Sequence, residues 1–460
     1  MDRTTLWTDW IERFSAGALS VSEIRAWQTQ ALREVLAHVA EKSPFYRRRL
    51  KGIDTSKVGI DDLAILPFTT KADLAEAMYE IVCGDVRDAL YFYSTTGTTG
   101  RPTPCPRAPI DVDLNNVSSV ETIRRIMDSC FGPGKKPIMG VLPPNELHSV
   151  CMNMSFVARE LGICKFDAFP LSPVIGFERL FNLLLELQVE MLLGSPGLVM
   201  ALAEMAHTYG VDPKVDLNVK CILCTGELCS PSMTRLIEDA WGARAYNYMY
   251  GSQEAGCIAV ADVDGRMTPL LTNYILEVID LTTGKSLGNE GYGELCITML
   301  VPGMKPLIRY RTGDLVRIQH GSTSRPVIEV LGRVKDMLRI GARTWSAAEI
   351  DRAVLAEHRE IFGYELKIEH VNGADTLLVR VKATDDADHE EVRRGVSASV
   401  REVLGLECKI ELLPILDLKS ATGGWVSWKS SRVTDLRVDC SRDVEASSSA
   451  ALARAAQSAI

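Results

Sequence analysis

The chain has 460 residues, 46% hydrophobic and 24% charged, with 51 basic against 60 acidic side chains and a formal net charge of −9. That length admits two or three domains around a large core, and the charge argues against a general nucleic-acid binder, which needs a basic face. No run of about 18 apolar residues occurs, so no membrane-spanning helix and no membrane partner are expected.

Residues 1–10 carry acids and tryptophans in place of an apolar signal core. The chain has 12 cysteines, scattered without a repeated spacing, as expected for reduced thiols in a cytoplasmic protein. Cys221 and Cys224 resemble half a metal knuckle, but they lie in an apolar run without a matching second pair, so no metal is expected there.

In chain order, Ala31, Leu32, Val35, Leu36 and Val39 recur at helical spacing, and Ser43-Pro44 ends that helix. The apolar run Leu90-Tyr91-Phe92-Tyr93 breaks into the hydroxyl- and glycine-rich stretch Ser94-Thr95-Thr96-Gly97-Thr98-Thr99-Gly100. Glycine lets a backbone approach an anion, and free N–H groups of such a loop form an anion-binding concavity. Ordinary surface loops share this composition, and the Gly-Lys-Ser/Thr ending of a Walker loop is missing. Distant segments must therefore supply the rest of a nucleotide site.

Strand candidates at 138–142, 219–224 and 244–248 alternate with two amphipathic helices over 176–209, a pattern of doubly wound α/β layers. From about 265 to 331 short strands with close turns predict a small antiparallel or barrel-like unit. After Gly332 a compact α/β pattern returns: helix 347–357, strands 363–369 and 377–383, helix 389–404. A domain boundary is expected between Leu331 and Asp336. From Ser441 the composition collapses to Ala, Ser, Arg and Asp, which predicts a frayed or disordered tail.

Four polar segments complete the pattern. Tyr250-Gly251-Ser252-Gln253-Glu254 puts a carboxylate at a strand end, suited to magnesium beside phosphates or to a solvated loop. Tyr310-Arg311-Thr312-Gly313-Asp314-Leu315 puts an aspartate in a turn between strands, where it accepts from both ribose hydroxyls or serves the turn alone. Gly332-Arg333-Val334-Lys335-Asp336 lies at the expected boundary, as solvated linker charge, hinge or ribose contact. Lys429 stands in Trp428-Lys429-Ser430-Ser431-Arg432 and alone says nothing.

In this order the segments resemble the adenylate-forming acyl-CoA ligase superfamily. Ser43-Pro44-Phe45-Tyr46, the stretch from Leu66 to Leu74 and Arg432-Val433-Thr434-Asp435-Leu436-Arg437 look like its phenylacetate–CoA ligase branch. The resemblance covers roughly residues 25–437. It implies an α/β fold: a large N-terminal domain of doubly wound α/β subdomains plus a small β-barrel-like unit (residues 1–332), a small mobile α+β C-terminal domain (333–437) and a tail (438–460).

The implied reaction joins a carboxylate to ATP, giving acyl-adenylate and pyrophosphate; the thiol of coenzyme A then displaces AMP. Ser94, Thr95, Thr96, Thr98 and Thr99 would cradle the phosphates, with Thr95 among the catalytic groups, and Gly97 and Gly100 would let the loop close. Gly226, Glu227, Tyr248, Tyr250, Gly251 and Ser252 would line the adenine. Glu254 would hold Mg²⁺, and Asp314 the ribose, with Arg333 nearby. Lys335 would be the hinge. Lys429 would stabilise the adenylation transition state; Trp428 stands where the family has glycine, which keeps Lys419 as a weaker candidate. His148, Met152, Ser195, Ala255 and Gly256 would shape a flat, mostly apolar pocket for an aryl or arylacetic acid. The branch's Cys/His zinc pattern is broken here, since no histidine follows Cys257 over 261–272, so no zinc is expected. The same resemblance leaves open an amine or a carrier-protein thiol as acceptor, and a homodimer as the assembly.

Overall fold

A computed structural model describes residues 3–95, 101–321, 324–355, 360–371, 373–384, 387–414 and 432–437. Thr96, Gly97, Thr98, Thr99 and Gly100, both candidate lysines Lys419 and Lys429, and the tail from 438 lie outside the described residues. None of the described helices is long and apolar enough to cross a membrane. Among the described residues every cysteine is a free thiol, most of them buried.

The chain divides into two compact units, and the division does not follow chain order: one holds 1–126, 145–161 and 248–330, the other 127–144, 162–247 and 331–460.

In the first unit the helix Val21–Lys42 starts with a capping box, Ser20 against Glu23, which satisfies two orphan N–H groups reciprocally. Its stripe of Ala31, Leu32, Val35, Leu36 and Val39 is buried. Ser43 ends it and caps the next short helix, Pro44–Arg49, with proline at its first position. The stripe shares one core with Leu276, Val278, Leu295, Ile297, Val316 and Ile318. These come from an antiparallel four-stranded sheet of Tyr274–Ile279, Gly291–Met299, Tyr310–Gln319 and Val327–Arg333. A second antiparallel sheet of three strands holds Met249–Ser252, Gly256–Ala261 and Met267–Pro269.

The flank motifs have a structural task in this unit. The Tyr46 hydroxyl accepts from the Ile308 N–H at 2.9 Å and lies 3.1 Å from the Thr69 hydroxyl. Thr69 N–H donates to the Arg309 carbonyl, and Arg311 N–H donates to that of Thr69, both at 2.9 Å. Phe68 lies under the Arg309 guanidinium, 4.1 Å from the ring centre. Both motifs thus grip the start of the strand that carries Asp314.

The second unit holds a five-stranded parallel sheet, in spatial order Lys165–Asp167, Met139–Val141, Met191–Gly194, Cys221–Cys224, Arg244–Asn247. The strand Met191–Gly194 separates the helices Gly176–Glu186 and Pro196–Thr208, and sequence periodicity does not mark it. Its residues are buried throughout; a strand covered on both faces is uniformly apolar, without the alternation that would distinguish it from helix. The same unit includes the antiparallel pair Ile361–Val371 and Ala374–Ala383 and the helices Ala347–Leu355 and His389–Leu404, which share a core with the sheet.

Candidate active site

Of the phosphate-loop candidate, Ser94 and Thr95 are described, at the end of one strand of an antiparallel pair. Tyr91–Ser94 pairs antiparallel with Pro104–Arg107, Ser94 opposite Pro104. Thr95 and Thr103 close its neck: Thr95 N–H donates to the Thr103 carbonyl at 3.2 Å, and Thr103 N–H to the Thr95 hydroxyl at 2.9 Å. Ser94 N–H reaches the Leu147 carbonyl at 3.4 Å. The outgoing strand is held from below by Lys305, buried, whose ammonium donates to the Pro104 carbonyl at 2.7 Å.

Glu254 sits in the tight turn between the strands Met249–Ser252 and Gly256–Ala261. Two glycines make this hairpin possible. A Cβ at Gly251 would stand 2.2 Å from the Gly256 carbonyl oxygen, and Gly256 has φ +83°, a conformation that costs glycine little. The turn is anchored from three sides. The Arg107 guanidinium donates to the Gln253 carbonyl at 2.7 Å and to that of Glu254 at 3.2 Å. Gln253 accepts from the Ser149 hydroxyl at 2.7 Å and donates to the Leu147 carbonyl at 2.9 Å. Tyr274 hydroxyl donates to the Ala255 carbonyl at 2.7 Å. Arg107, Gln253 and Tyr274 escaped sequence reading. Gln253 alone carried a signal, as a variable position inside the Tyr-Gly-x-x-Glu segment.

Asp314 is not in a turn between strands, as its sequence context predicts. It lies within the strand Tyr310–Gln319, where the register against Gly291–Met299 shifts between Glu294 and Cys296. Gly313 takes φ +79° there, so the turn-like sequence codes for a β-bulge, which re-aims a side chain. The Tyr250 hydroxyl donates to the Asp314 carboxylate at 2.6 Å. The Asp314 N–H donates to the Thr312 hydroxyl at 3.0 Å.

One cavity of about 290 Å³ adjoins the strand Tyr91–Ser94 and the Glu254 hairpin. Its wall takes Tyr91 and Tyr93 from the strand entering the phosphate loop, and Ala255, Gly256 and Cys257 from the Glu254 hairpin. Met152, Asn153 and Phe156 come from one face of the helix Ser149–Leu161, whose i, i+3, i+4 spacing aligns them. Of the expected pocket residues, Met152, Ala255 and Gly256 line it. His148 precedes that helix, and burial holds its imidazole below the usual histidine range. Asp111 stands on the cavity wall. Burial raises its pKa, although Arg107 and the N–H groups of Met304 and Ala108 pull the other way.

In the second unit the expected residues gather at the carboxyl ends of the parallel strands, where open α/β sheets bind ligands. The order of the sheet reverses between Met139–Val141 and Met191–Gly194, and Ser195 follows the latter directly. Ser195 caps the helix Pro196–Thr208. Gly226, with φ +87°, and Glu227 follow Cys221–Cys224. The Glu227 carboxylate accepts from the Gly197 N–H at 3.1 Å, so it serves the helix start. Tyr248, the first residue of a stretch that belongs to the first unit, is buried. Arg333 ends its strand, and Lys335 lies in a single 3₁₀ turn, Val334–Asp336.

A carboxylate in a pinned turn, an aspartate on a bulged strand and a ring-sized cavity thus lie in the same unit. Residues 15–299 match the AMP-binding enzyme family, and the chain belongs to it. Similar proteins include the phenylacetate-coenzyme A ligases of Pseudomonas putida, 26% identical over 80% of this chain and 84% of that one, and of Escherichia coli K12, 28% identical over 79% and 83%. Among solved structures, 2-hydroxyisobutyryl-CoA ligase with 2-HIB-AMP in the postadenylation state shares the fold, with TM-score 0.72 at 23% identity, covering 91% of this chain and 90% of that one. The same ligase with 2-HIB-AMP and CoA in the thioesterification state aligns with TM-score 0.60 over the same shares.

Proposed function

We propose that this protein activates an aromatic carboxylic acid, aryl or arylacetic, with ATP and passes the acyl group to coenzyme A. A carboxylate oxygen of the acid attacks the α-phosphorus and pyrophosphate leaves; the coenzyme A sulfur then attacks the acyl carbon, losing its proton, and AMP leaves. One observation carries the reading. A single cavity is bounded by the strand entering the phosphate loop and by the hairpin of Glu254, so an acid seated there presents its carboxylate toward the phosphates. Tyr91, Tyr93, Phe156 and Tyr274 on its wall favour a flat ring over an alkyl chain.

Mg²⁺ with nucleotide takes one or two carboxylates plus phosphate oxygens, and the carboxylate of Glu254 suits that donor set. Glu254 would hold the ion, which would neutralise the charge that builds on the phosphates. Thr95 sits at the loop neck, where its backbone is fixed before the reaction, and preorganised donors need no reorganisation as charge develops. Asp314, oriented by Tyr250, holds the ribose. Rotation of residues 333–437 about Lys335 exchanges the adenylating lysine for the coenzyme A route.

A pyrophosphate-exchange screen over aromatic acids, repeated with coenzyme A and thioester detection, tests this. Exchange with aromatic acids and thioester formation support it; exchange without coenzyme A consumption points to an amine or carrier thiol. Asp314→Ala should weaken ATP binding about tenfold to a hundredfold, the range for a lost charged hydrogen bond, read by calorimetry; unchanged affinity contradicts the ribose role. Lys335→Pro should spare exchange and block thioester formation; if both half-reactions persist, the hinge is elsewhere.

A further inference from the structure

The cavity wall grades from closed to open. Leu114, Ala255, Cys257 and Tyr274 on it are buried, whereas Met152, Ser155 and Arg159 are exposed. Those three share one face of the helix Ser149–Leu161, at i, i+3 and i+7. The helix starts at the Glu254 turn, where the Ser149 hydroxyl donates to Gln253 at 2.7 Å. Arg159 comes ten residues later, about 15 Å along the axis. Helical side chains lean back toward the N-terminus by roughly one turn, about 5 Å. Here that lean is toward the turn of Ser155 and Phe156, both on the wall.

Among the described residues the Arg159 side chain has no hydrogen-bond or ion-pair partner. Three and four positions away stand Ser155, Phe156, Gly162 and Ile163, so no carboxylate is within helical reach. Its last-turn position suits a cation through the helix dipole, but the dipole leaves the guanidinium N–H donors unused. The other charged groups on the wall are engaged. Arg107 donates to the Gln253 and Glu254 carbonyls. The Asp111 carboxylate accepts from the N–H groups of Ala108 and Met304 at 2.8 and 2.9 Å.

We propose that Arg159 sets acid specificity and that the acid carries a second acidic group. It is an aromatic dicarboxylic acid whose reacting carboxylate points to the Glu254 turn and whose far carboxylate pairs with Arg159. The lengths agree. About 15 Å of helix, less a lean of about 5 Å, leaves on the order of 10 Å, the reach of a para-substituted ring with an acidic group at each end. A guanidinium meets a carboxylate bidentately, so it reads direction as well as charge. The inference rests on the reading of this cavity as the acid site.

The test compares kcat/KM for acid-dependent pyrophosphate exchange between para-carboxy and para-methyl derivatives of benzoic, phenylacetic and cinnamic acids. The methyl acids keep the ring and its length without the charge. At least one para-carboxy acid should be favoured by about tenfold to a hundredfold, the range for a charged hydrogen bond. Arg159→Gln should bring that ratio close to one, mainly through a higher KM for the dicarboxylic acid. Arg159→Glu should turn the enzyme toward the para-aminomethyl acid, a readout that a purely structural role would not move. Arg159 is exposed, and substitutions at such positions leave stability nearly unaltered. Three results overturn the inference and leave the aromatic-acid reading standing: para-methyl acids used as well as their para-carboxy counterparts, a preference that survives Arg159→Gln, or no gain on the para-aminomethyl acid in Arg159→Glu. No exchange with any aromatic acid overturns both.

Discussion

Lys429→Ala is expected to cut acid-dependent ATP–pyrophosphate exchange by about a hundredfold or more, the scale on which one preorganised donor to a developing charge contributes. In-line attack on the α-phosphate spreads negative charge over its oxygens, and a lysine between the carboxylate and that phosphate meets it where it forms. On the proposed rotation about Lys335 the second half-reaction does not use that lysine, so a synthetic acyl-adenylate should still be converted to thioester at near wild-type rate. The two rates should therefore separate in one variant. Exchange that survives Lys429→Ala but fails in Lys419→Ala would shift the assignment ten residues upstream. Loss of both half-reactions would mean that the substitution damages the fold.

The second large effect is one of stability. Arg309 and Glu277 form a bidentate ion pair at 2.7 and 2.9 Å, with side chains 5% and 8% exposed. Arg309 also donates to the Leu66 carbonyl at 2.8 Å and lies over Phe68. Glu277→Ala would leave that guanidinium buried without its counter-charge, and breaking such a pair from one side costs about 3–5 kcal/mol. A urea titration should show this as a lower midpoint. Arg309→Met combined with Glu277→Ala should recover much of the loss, since an apolar replacement of both partners removes the unpaired charge. A single variant within about 1 kcal/mol of wild type, the worth of an exposed pair, would show that the pair is solvated. Because Arg309 directly precedes the strand of Asp314, the destabilised variant should also bind ATP more weakly.

Much of the fold was legible in the chain. The stripe of Ala31, Leu32, Val35, Leu36 and Val39 and the helix His389–Leu404 declare themselves because helical period and burial coincide. Met191–Gly194 did not, because a strand buried on both faces has no alternation to read. Asp314 has a local structure other than the expected turn: Thr-Gly-Asp is turn chemistry, and a β-bulge uses the same positive-φ glycine. The Leu66–Leu74 and Ser43–Tyr46 motifs were visible as marks of a branch. Their physical role, gripping the strand at Ile308 to Arg311, was not.

The sequence by itself determined the chemistry on offer: a hydroxyl-rich loop, a carboxylate after Tyr-Gly, an aspartate in Tyr-Arg-Thr-Gly-Asp, and their order, because those properties belong to residue types and local spacing. Tertiary structure alone decided which groups meet. Tyr250 reaches Asp314 across 64 residues, and Arg107 holds the turn of Glu254 across 146. Neither partner is marked in the chain, because a hydrogen bond between distant segments leaves no periodicity in either.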